Sequence, residues 1–304
     1  MRTPRGGPRS RPVRTQGAAV ASLVTTWREL QRLAQAELGA REAWFVLERA
    51  SGLDRAGLIP RLADPVPART VEFVEGMVER RRRGEPLQYV LGLWSFRQLE
   101  LVVDRRVLIP RPETEMVVEV ALGELARLDA ARPLVADLGT GSGAIAISMA
   151  LEIPAARVWG TDRSADALAV ARANLAGMGG RVAPRVRLAA GDWFKALPRE
   201  LRGDFDLIVA NPPYVAAAEV LPPEVADWEP AGALVAGPTG LEAVAVILDG
   251  APTWLRRPGA VVIEIAPHQA GDAVELAREA GFNDVDVHPD LAGRPRALVG
   301  RFPR

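Results

Sequence analysis

The tetrapeptide Asn211-Pro212-Pro213-Tyr214 follows an apolar run that is typical of a buried strand, residues 207–210. Proline has no backbone N–H, so this peptide edge accepts hydrogen bonds more readily than it donates them. The side-chain oxygen of Asn211 and the carbonyl of Pro212 can accept both N–H bonds of a planar carboxamide, while Tyr214 stacks on its face. The four residues therefore predict a catalytic site for a planar group rich in N–H.

The chemistry of such a group limits the reaction. An amide nitrogen is a poor nucleophile because its lone pair is delocalised. Acceptors that hold both N–H bonds and aim the nitrogen at an electrophile supply proximity and electrostatic stabilisation without a strong base. Methyl transfer from a sulfonium fits, since the positive charge of the electrophile disappears as the new bond forms. A turn that merely ends a strand does not explain the flanking Asn and Tyr.

A glycine-rich segment, "DLGTGSGA", lies between a predicted strand and a predicted helix. Glycines let the backbone turn sharply near a ligand, and the helix N-terminus offers free N–H groups. Asp162 ends the next predicted strand, where a carboxylate can accept ribose hydroxyls. The same spacing satisfies the pattern of NAD enzymes, so this segment alone leaves a dinucleotide open. The candidate cofactor-binding residues here are Gly139, Thr140, Gly141, Ser142, Gly143 and Asp162.

The segment "GDWF" follows the third predicted strand and adds two candidates, Asp192 and Trp193. In an open α/β sheet, ligands bind outside the carboxyl ends of the strands, so Asp162, Asp192 and Asn211 are expected to converge. Asp192 can accept from an exocyclic amine. Trp193 offers a flat apolar face to a purine, although a tryptophan of the core fits its position equally well.

The elements that must position these residues alternate from Leu134 onward, which predicts a mostly parallel, doubly wound sheet with helices on both faces. Two final strands near Val285 and Ala297 lack a helix between them and are expected to pair antiparallel at one edge. Upstream, helical periodicity predicts a small all-helical domain at residues 19–84. Two strand-like runs at 93–96 and 99–103 predict a β-hairpin linker at 85–110, and Pro112 begins a helix.

Composition narrows the class of protein further. The chain has 304 residues with 38 basic and 38 acidic side chains, so there is no global electrostatic case for nucleic acid or an anionic membrane. The absence of cysteine excludes disulfides and thiolate metal sites, and two histidines leave little for a metal centre. No apolar segment approaches the ~20 residues that span a bilayer. We expect a cytoplasmic protein with a disordered basic tail at residues 1–18.

Taken together, the glycine loop, Asp162, "GDWF" and "NPPY" resemble class I S-adenosylmethionine-dependent methyltransferases that act on planar nitrogens. One subfamily, the peptide chain release factor glutamine methyltransferases, is similar over nearly the whole chain after the tail. Further segments that carry the resemblance are "GEPLQYVLG", "LIPRPETE", Glu229-Pro230, "EIAPHQ" and "DLAGRPR". The resemblance implies a Rossmann-like methyltransferase domain at 111–304 and a helical domain at 19–84 that helps to bind the release factor. The reaction it implies is methylation of the glutamine side-chain amide nitrogen in the Gly-Gly-Gln loop.

The resemblance also implies roles for single residues. Residues 139–143 would hold the methionine part of S-adenosylmethionine, Asp162 its ribose and Trp193 the adenine region, with Asn211 beside the cofactor and 211–214 around the glutamine. "RPETE" lines the site in this family, but helix capping explains its residue types equally well. The chain departs from the family pattern at Ala236, Thr239 and Ala266, which leaves the shape of the loop at 215–240 open.

Three other functions remain as alternatives. An amino methyltransferase acting on a base of rRNA or DNA would use the same tetrapeptide, but it predicts a basic target-recognition region. A non-catalytic cofactor-binding protein would be expected to lack Asn211 or Tyr214, but both residues are present. A dehydrogenase leaves "NPPY" unexplained. We therefore expect release factors as the protein substrate, S-adenosylmethionine as the cofactor, and no direct partner among membranes or nucleic acids.

Overall fold

The computed structural model describes residues 25–303, so the predicted basic tail at 1–18 lies outside the described residues. The chain divides into two compact units, one up to Gly76 and one from Met77. Within the described range no helix is both long enough and apolar enough to cross a membrane.

The first unit is helical, as its periodicity predicts. Helix α1 (Trp27–Ser51) begins with a capping box, in which Thr26 accepts the Glu29 N–H and the Glu29 carboxylate accepts the Thr26 N–H. Gly39, with φ 81° and ψ 165°, interrupts this helix. Helix α2 (Arg55–Leu58) follows, and helix α3 (Ala68–Arg82) spans the division between the units. The domain boundaries expected at 84/85 and 110/111 stay predictions.

After the end of α3, the second unit contains a short helix that the sequence did not predict, α4 (Leu87–Leu91). The predicted hairpin follows it. Strands β1 (Leu93–Phe96) and β2 (Leu99–Val102) pair antiparallel. Helix α5 (Pro112–Leu128) starts at Pro112, as expected, because a proline at the first helical position gives up no hydrogen bond.

A seven-stranded sheet forms the centre of this unit. Its strands are β3 (Leu134–Leu138), β4 (Arg157–Asp162), β5 (Val186–Ala190), β6 (Phe205–Ala210), β9 (Leu255–Glu264), β10 (Asp284–Pro289) and β11 (Pro295–Phe302). They lie in the order β10-β11-β9-β6-β3-β4-β5. The last five strands in this order, β9, β6, β3, β4 and β5, are parallel to one another, whereas β11 runs antiparallel to both β9 and β10. The predicted fold class, with its antiparallel edge, is therefore confirmed.

Helices cover both faces of the sheet, as alternating strands and helices predict. Strand β6 is buried along its whole length, and its neighbouring residues Ile208 and Val209 belong to separate apolar clusters on opposite faces. One cluster includes residues of α5, α6 and α7, and the other includes residues of α11 and α12. The longer helices are α6 (Ala144–Glu152), α7 (Ala165–Gly177), α11 (Glu242–Trp254) and α12 (Ala270–Glu279), with short helices α8 (Gly179–Val182), α9 (Pro223–Ala226) and α10 (Ala231–Leu234).

The segment between β6 and α11 contains a second small sheet that the sequence did not predict. Strands β7 (Val215–Ala216) and β8 (Val235–Gly237) pair in parallel. Because the parallel strands of the large sheet all end at the same edge, this segment and the loops after β3, β4 and β5 lie around one crevice.

Candidate active site

The loop after β3 is built around glycines. The N–H groups of Gly139 and Thr140 both donate to the Thr161 carbonyl at 2.8 Å. Gly139, Gly141 and Gly143 have φ of 78°, 54° and 85°, a region that favours glycine. A Cβ on Gly139 would lie 3.3 Å from the Trp193 ring. Glycine is therefore needed where the loop turns and where it passes the tryptophan.

Beneath the loop lies Asp137, a fully buried carboxylate whose role the sequence did not reveal. Its Oδ2 accepts the Thr140 hydroxyl at 2.6 Å and the Ala146 N–H at 3.0 Å. Burial raises the pKa of Asp137 to about 7. The carboxylate thus ties the glycine loop to the first turn of α6.

Two further side chains hold the loop from the sides. Asp162 at the end of β4 accepts the Gly141 N–H at 2.9 Å and the Ser164 N–H at 2.8 Å. From α7, Asn174 donates to the Ser142 carbonyl at 2.9 Å and also exchanges hydrogen bonds with the backbone of Val102 in the hairpin. The hairpin therefore fixes the position of the glycine loop through one buried amide.

The predicted residues after β5 sit at the rim of the same crevice. Asp192 is exposed, with the Lys195 ammonium 3.4 Å from its carboxylate. Trp193 begins a short 3₁₀ turn and has φ 47°, which is uncommon for a bulky residue. Its ring is half-buried, packs against the apolar cluster under α11 and lines the crevice. Trp193 is thus both part of the core's edge and part of the candidate cofactor site.

The tetrapeptide follows β6, and two of its residues, Asn211 and Pro213, line the crevice. The Nδ2 of Asn211 donates to the Thr114 hydroxyl at 3.0 Å, while its Oδ1 is buried and has no hydrogen-bond partner in the described part of the chain. The Tyr214 hydroxyl donates to Glu264 at 3.3 Å, and the Tyr214 carbonyl accepts from Gln269 at 2.9 Å. Burial and the neighbouring Glu264 raise the pKa of Tyr214, which keeps its hydroxyl protonated at neutral pH.

Two residues that contact this tetrapeptide escaped the sequence reasoning. The Thr114 hydroxyl, on α5, donates to the carboxylate of Glu264 over a distance of 2.7 Å. Glu264 lies at the end of β9 and is fully buried. Burial raises the pKa of Glu264 to about 7. The segments "RPETE" and "EIAPHQ" contain the two residues, but nothing local to either segment signals their contact.

Hydrogen bonds hold the loop at 215–240 at its middle and at its C-terminal end. Glu229 accepts the Ile109 N–H at 3.1 Å and forms a salt bridge with Arg111, the first residue of "RPETE". At the C-terminal end of the loop, the Glu242 carboxylate accepts the N–H groups of Thr239 and Gly240 at 2.8 and 2.9 Å.

Two of the three departures from the family pattern, Thr239 and Ala266, fit this geometry. The hydroxyl of Thr239 also reaches Glu242, at 3.0 Å. Ala266 has φ −72° and ψ 145°, an ordinary extended conformation that does not require glycine. Gly240 does require it, because φ is 82° and a Cβ there would lie 2.6 Å from the Tyr214 carbonyl oxygen.

The crevice is a cavity of about 510 Å³, the size of a site for a cofactor or small ligand. Three carboxylates line it, those of Asp162, Asp192 and Glu242, so a ligand with sugar hydroxyls and a positively charged group fits its chemistry. The described residues contain no cluster that could hold a metal ion. Gly143, Pro212 and Tyr214 do not line the cavity wall. Of the candidate residues, those that line it are Gly139, Thr140, Gly141, Ser142, Asp162, Asp192, Trp193, Asn211 and Pro213.

The sheet order, the reversed β11 and a ligand crevice at the glycine loop define a class I S-adenosylmethionine-dependent methyltransferase, and S-adenosyl-L-methionine is its cofactor. Residues 122–225 match the model of the methyltransferase small domain, and residues 29–92 match that of the PrmC N-terminal domain. The fold is similar to the crystal structure of a methyltransferase from Pyrococcus furiosus, with a TM-score of 0.50 and 17% identity over 69% of this chain and 92% of that one.

Curated relatives narrow the class to one family. The chain is 41% identical to the release factor glutamine methyltransferase of Cereibacter sphaeroides over 90% of this chain and 95% of the relative. It is 44% identical to that of Bordetella pertussis over 88% of this chain and 97% of the relative. The chain belongs to the release factor glutamine methyltransferase family.

Proposed function

We propose that this protein transfers a methyl group from S-adenosyl-L-methionine to the side-chain amide nitrogen of the glutamine in the Gly-Gly-Gln loop of peptide chain release factors. Membership of the family supports the reaction and the substrate. The observation that carries the proposal is the Asn211 Oδ1, a buried acceptor at the crevice without a partner in the described chain. Buried polar atoms are nearly always paired, and a substrate N–H would pair this one.

In the proposed mechanism, Asn211 Oδ1 and the Pro212 carbonyl accept the two N–H bonds of the glutamine amide, and the Tyr214 ring stacks on it. When bound, the cofactor supplies a methyl carbon on a positively charged sulfur. That carbon would pass to the amide nitrogen held by Asn211 and Pro212, and the electron pair of the carbon–sulfur bond would stay on the sulfur. One N–H proton then leaves to water, so the site needs no strong base.

The remaining candidate residues are proposed to hold the cofactor. The glycine loop at residues 139–143 surrounds the methionine part, and the Asp162 carboxylate accepts from the ribose hydroxyls. Asp192 and Trp193 border the adenine, the first as an acceptor for its amine and the second as a flat apolar face. The position of all these segments around one cavity supports the assignment.

The N-terminal region at 19–84 is proposed to recognise the body of the release factor, away from the loop that carries the glutamine. The match of residues 29–92 to an N-terminal domain model of this family supports a separate role for the region. We place the reaction in the cytoplasm, with a protein rather than a nucleic acid as the substrate, which agrees with a net charge of zero.

The test is a methylation assay with the purified protein, S-adenosylmethionine and an unmethylated release factor from the same cell. Peptide mass spectrometry locates the modification, and a release factor with the loop glutamine changed to alanine serves as the control. We expect one added methyl on that glutamine and none on the control. Parallel reactions contain ribosomal RNA or DNA in place of the release factor.

Methylation of RNA or DNA without methylation of the glutamine would overturn the assigned substrate while leaving the methyltransferase class intact. Methylation of the alanine control at another residue would overturn the role of the Gly-Gly-Gln loop.

A further inference from the structure

Three side chains from three distant parts of the second unit form one hydrogen-bonded row. Asn211, after β6, donates to Thr114 on α5 at 3.0 Å, and Thr114 donates to Glu264 at the end of β9 at 2.7 Å. Thr114 is 4% exposed and Glu264 is fully buried, so water does not compete for these bonds.

The row determines which way the Asn211 amide faces. The two ends of a primary amide have nearly the same shape, so packing alone does not distinguish its oxygen from its nitrogen. A hydroxyl has one proton, however, and Thr114 gives that proton to Glu264. The Thr114 oxygen can then only accept, which requires the Nδ2 end of Asn211 to face it. The Oδ1 end remains for a ligand.

We infer that Thr114 is a positioning residue: held by Glu264, its hydroxyl fixes the Asn211 amide with the oxygen toward the substrate amide. The inference rests on the proposed function and deepens it, because it explains how the acceptor for a glutamine N–H is oriented. The reversed amide would present N–H to N–H and would repel the substrate amide.

The direction of the row depends on the charge of Glu264. The groups that face Glu264 are the hydroxyls of Thr114 and Tyr214, the cation Arg296 and the carboxylate Glu113, and burial raises its pKa to about 7. A protonated Glu264 can donate to Thr114, which can then donate to Asn211 and reverse the amide. We therefore expect kcat to rise with pH through about 7.

The experiment compares Thr114→Val, which removes the hydroxyl at nearly constant shape, with Thr114→Ser, which keeps it. Thr253→Val, an exposed threonine on α11, is the matched control. With a saturating release factor, Thr114→Val is expected to lower kcat by about ten- to a hundredfold, because a wrongly turned amide leaves buried groups unpaired. Thr114→Ser and the control stay within about threefold of the wild type. Calorimetry is expected to give an unchanged Kd for S-adenosylmethionine in all three variants.

A double-mutant cycle separates positioning from direct contact. If Thr114 acts through Asn211, adding Thr114→Val to Asn211→Ala lowers kcat by less than twofold, and the rise of kcat through pH 7 is smaller in Thr114→Val than in the wild type. A full multiplicative loss in the double variant, or an unchanged kcat in Thr114→Val, overturns the inference while glutamine methylation by the wild type stands. A wild type that does not methylate the glutamine overturns the proposed function instead.

Discussion

One end of the Asn211 amide is hydrogen-bonded to Thr114, whereas the other end, Oδ1, is buried and has no partner among residues 25–303. A buried polar atom without a partner costs stability, on the order of 1–3 kcal/mol. Such an atom persists where a ligand completes it. We therefore propose that Asn211 serves the chemistry of the site more than the stability of the fold.

Asn211→Ala tests this at the level of one side chain. Loss of a preorganised polar contact to the reacting group typically costs about 10²–10³ in kcat, and we expect a loss of that size. The Kd for S-adenosylmethionine, measured by calorimetry, should change far less. Equal losses in kcat and in cofactor affinity would show that Asn211 acts mainly on the cofactor.

Glu264 leads to a prediction about stability and pH. Its pKa is raised from 4.5 to about 7 in the folded protein, so between these values the folded state holds a proton that the unfolded state has released. The free energy of unfolding must then fall as pH rises from about 4.5 to 7, by up to about 1.4 kcal/mol per pH unit from this group.

Glu264→Gln removes this titration, so the fall in stability over the same pH range should be smaller than in the wild type. Urea unfolding midpoints at pH 5 and pH 7.5 measure the difference, with Glu279→Gln at the exposed end of α12 as the control. Identical pH dependence in wild type and Glu264→Gln would contradict the prediction.

Among the elements, helix α1 contains a break at Gly39 that its bounds do not show. Gly39 adopts φ 81° and ψ 165°, a conformation open almost exclusively to glycine, so α1 is two helices joined at a bend. Gly76 is also a glycine within a helix, α3, but its φ is not positive and a Cβ there would meet nothing within 4 Å.

The two glycines should respond to alanine in opposite directions. Gly39→Ala is expected to destabilise the protein by about 1–3 kcal/mol, because alanine is strained in that conformation. Gly76→Ala is expected to stabilise it by about 0.5–1 kcal/mol, through helix propensity and a less flexible unfolded chain. Thermal unfolding of the two variants beside the wild type gives the signs. Stabilisation by Gly39→Ala would mean that the bend straightens without strain.

The elements also show what sequence reasoning could reach. Alternation of strands and helices predicted the sheet, its antiparallel edge and the hairpin because those signals are local and periodic. The β7/β8 pair was missed because two- and three-residue strands carry no period. The site at the tetrapeptide was predicted from its own chemistry and stays a prediction. Thr114 was not, because it lies 97 residues from Asn211 in the chain and only the fold brings them together.

At the scale of the whole molecule, the cavity is lined only by residues of the unit from Met77 onward, within the described part of the chain. Hydrogen exchange can therefore measure the binding of the cofactor and the binding of the release factor separately. S-adenosylmethionine should slow exchange at residues 139–143, 191–194 and 211–216 and leave residues 25–76 unchanged. Addition of a release factor should then protect amides within 25–76, as the proposed recognition role requires.

Two results would contradict this assignment of cofactor binding to one unit and release factor recognition to the other. Protection of residues 25–76 by the cofactor alone would mean that cofactor binding orders both units. Absence of new protection there with the release factor would remove the proposed role of the helical region in substrate recognition.

The unpaired oxygen of Asn211 also bears on what happens after the reaction. A glutamine amide brings two N–H groups to the two proposed acceptors, whereas its N-methylated product brings one. The product would leave one buried acceptor unsatisfied, at a cost of about 1–3 kcal/mol. The same pair of acceptors that selects an unmodified glutamine would therefore disfavour a second methylation and keep product inhibition by the finished release factor weak.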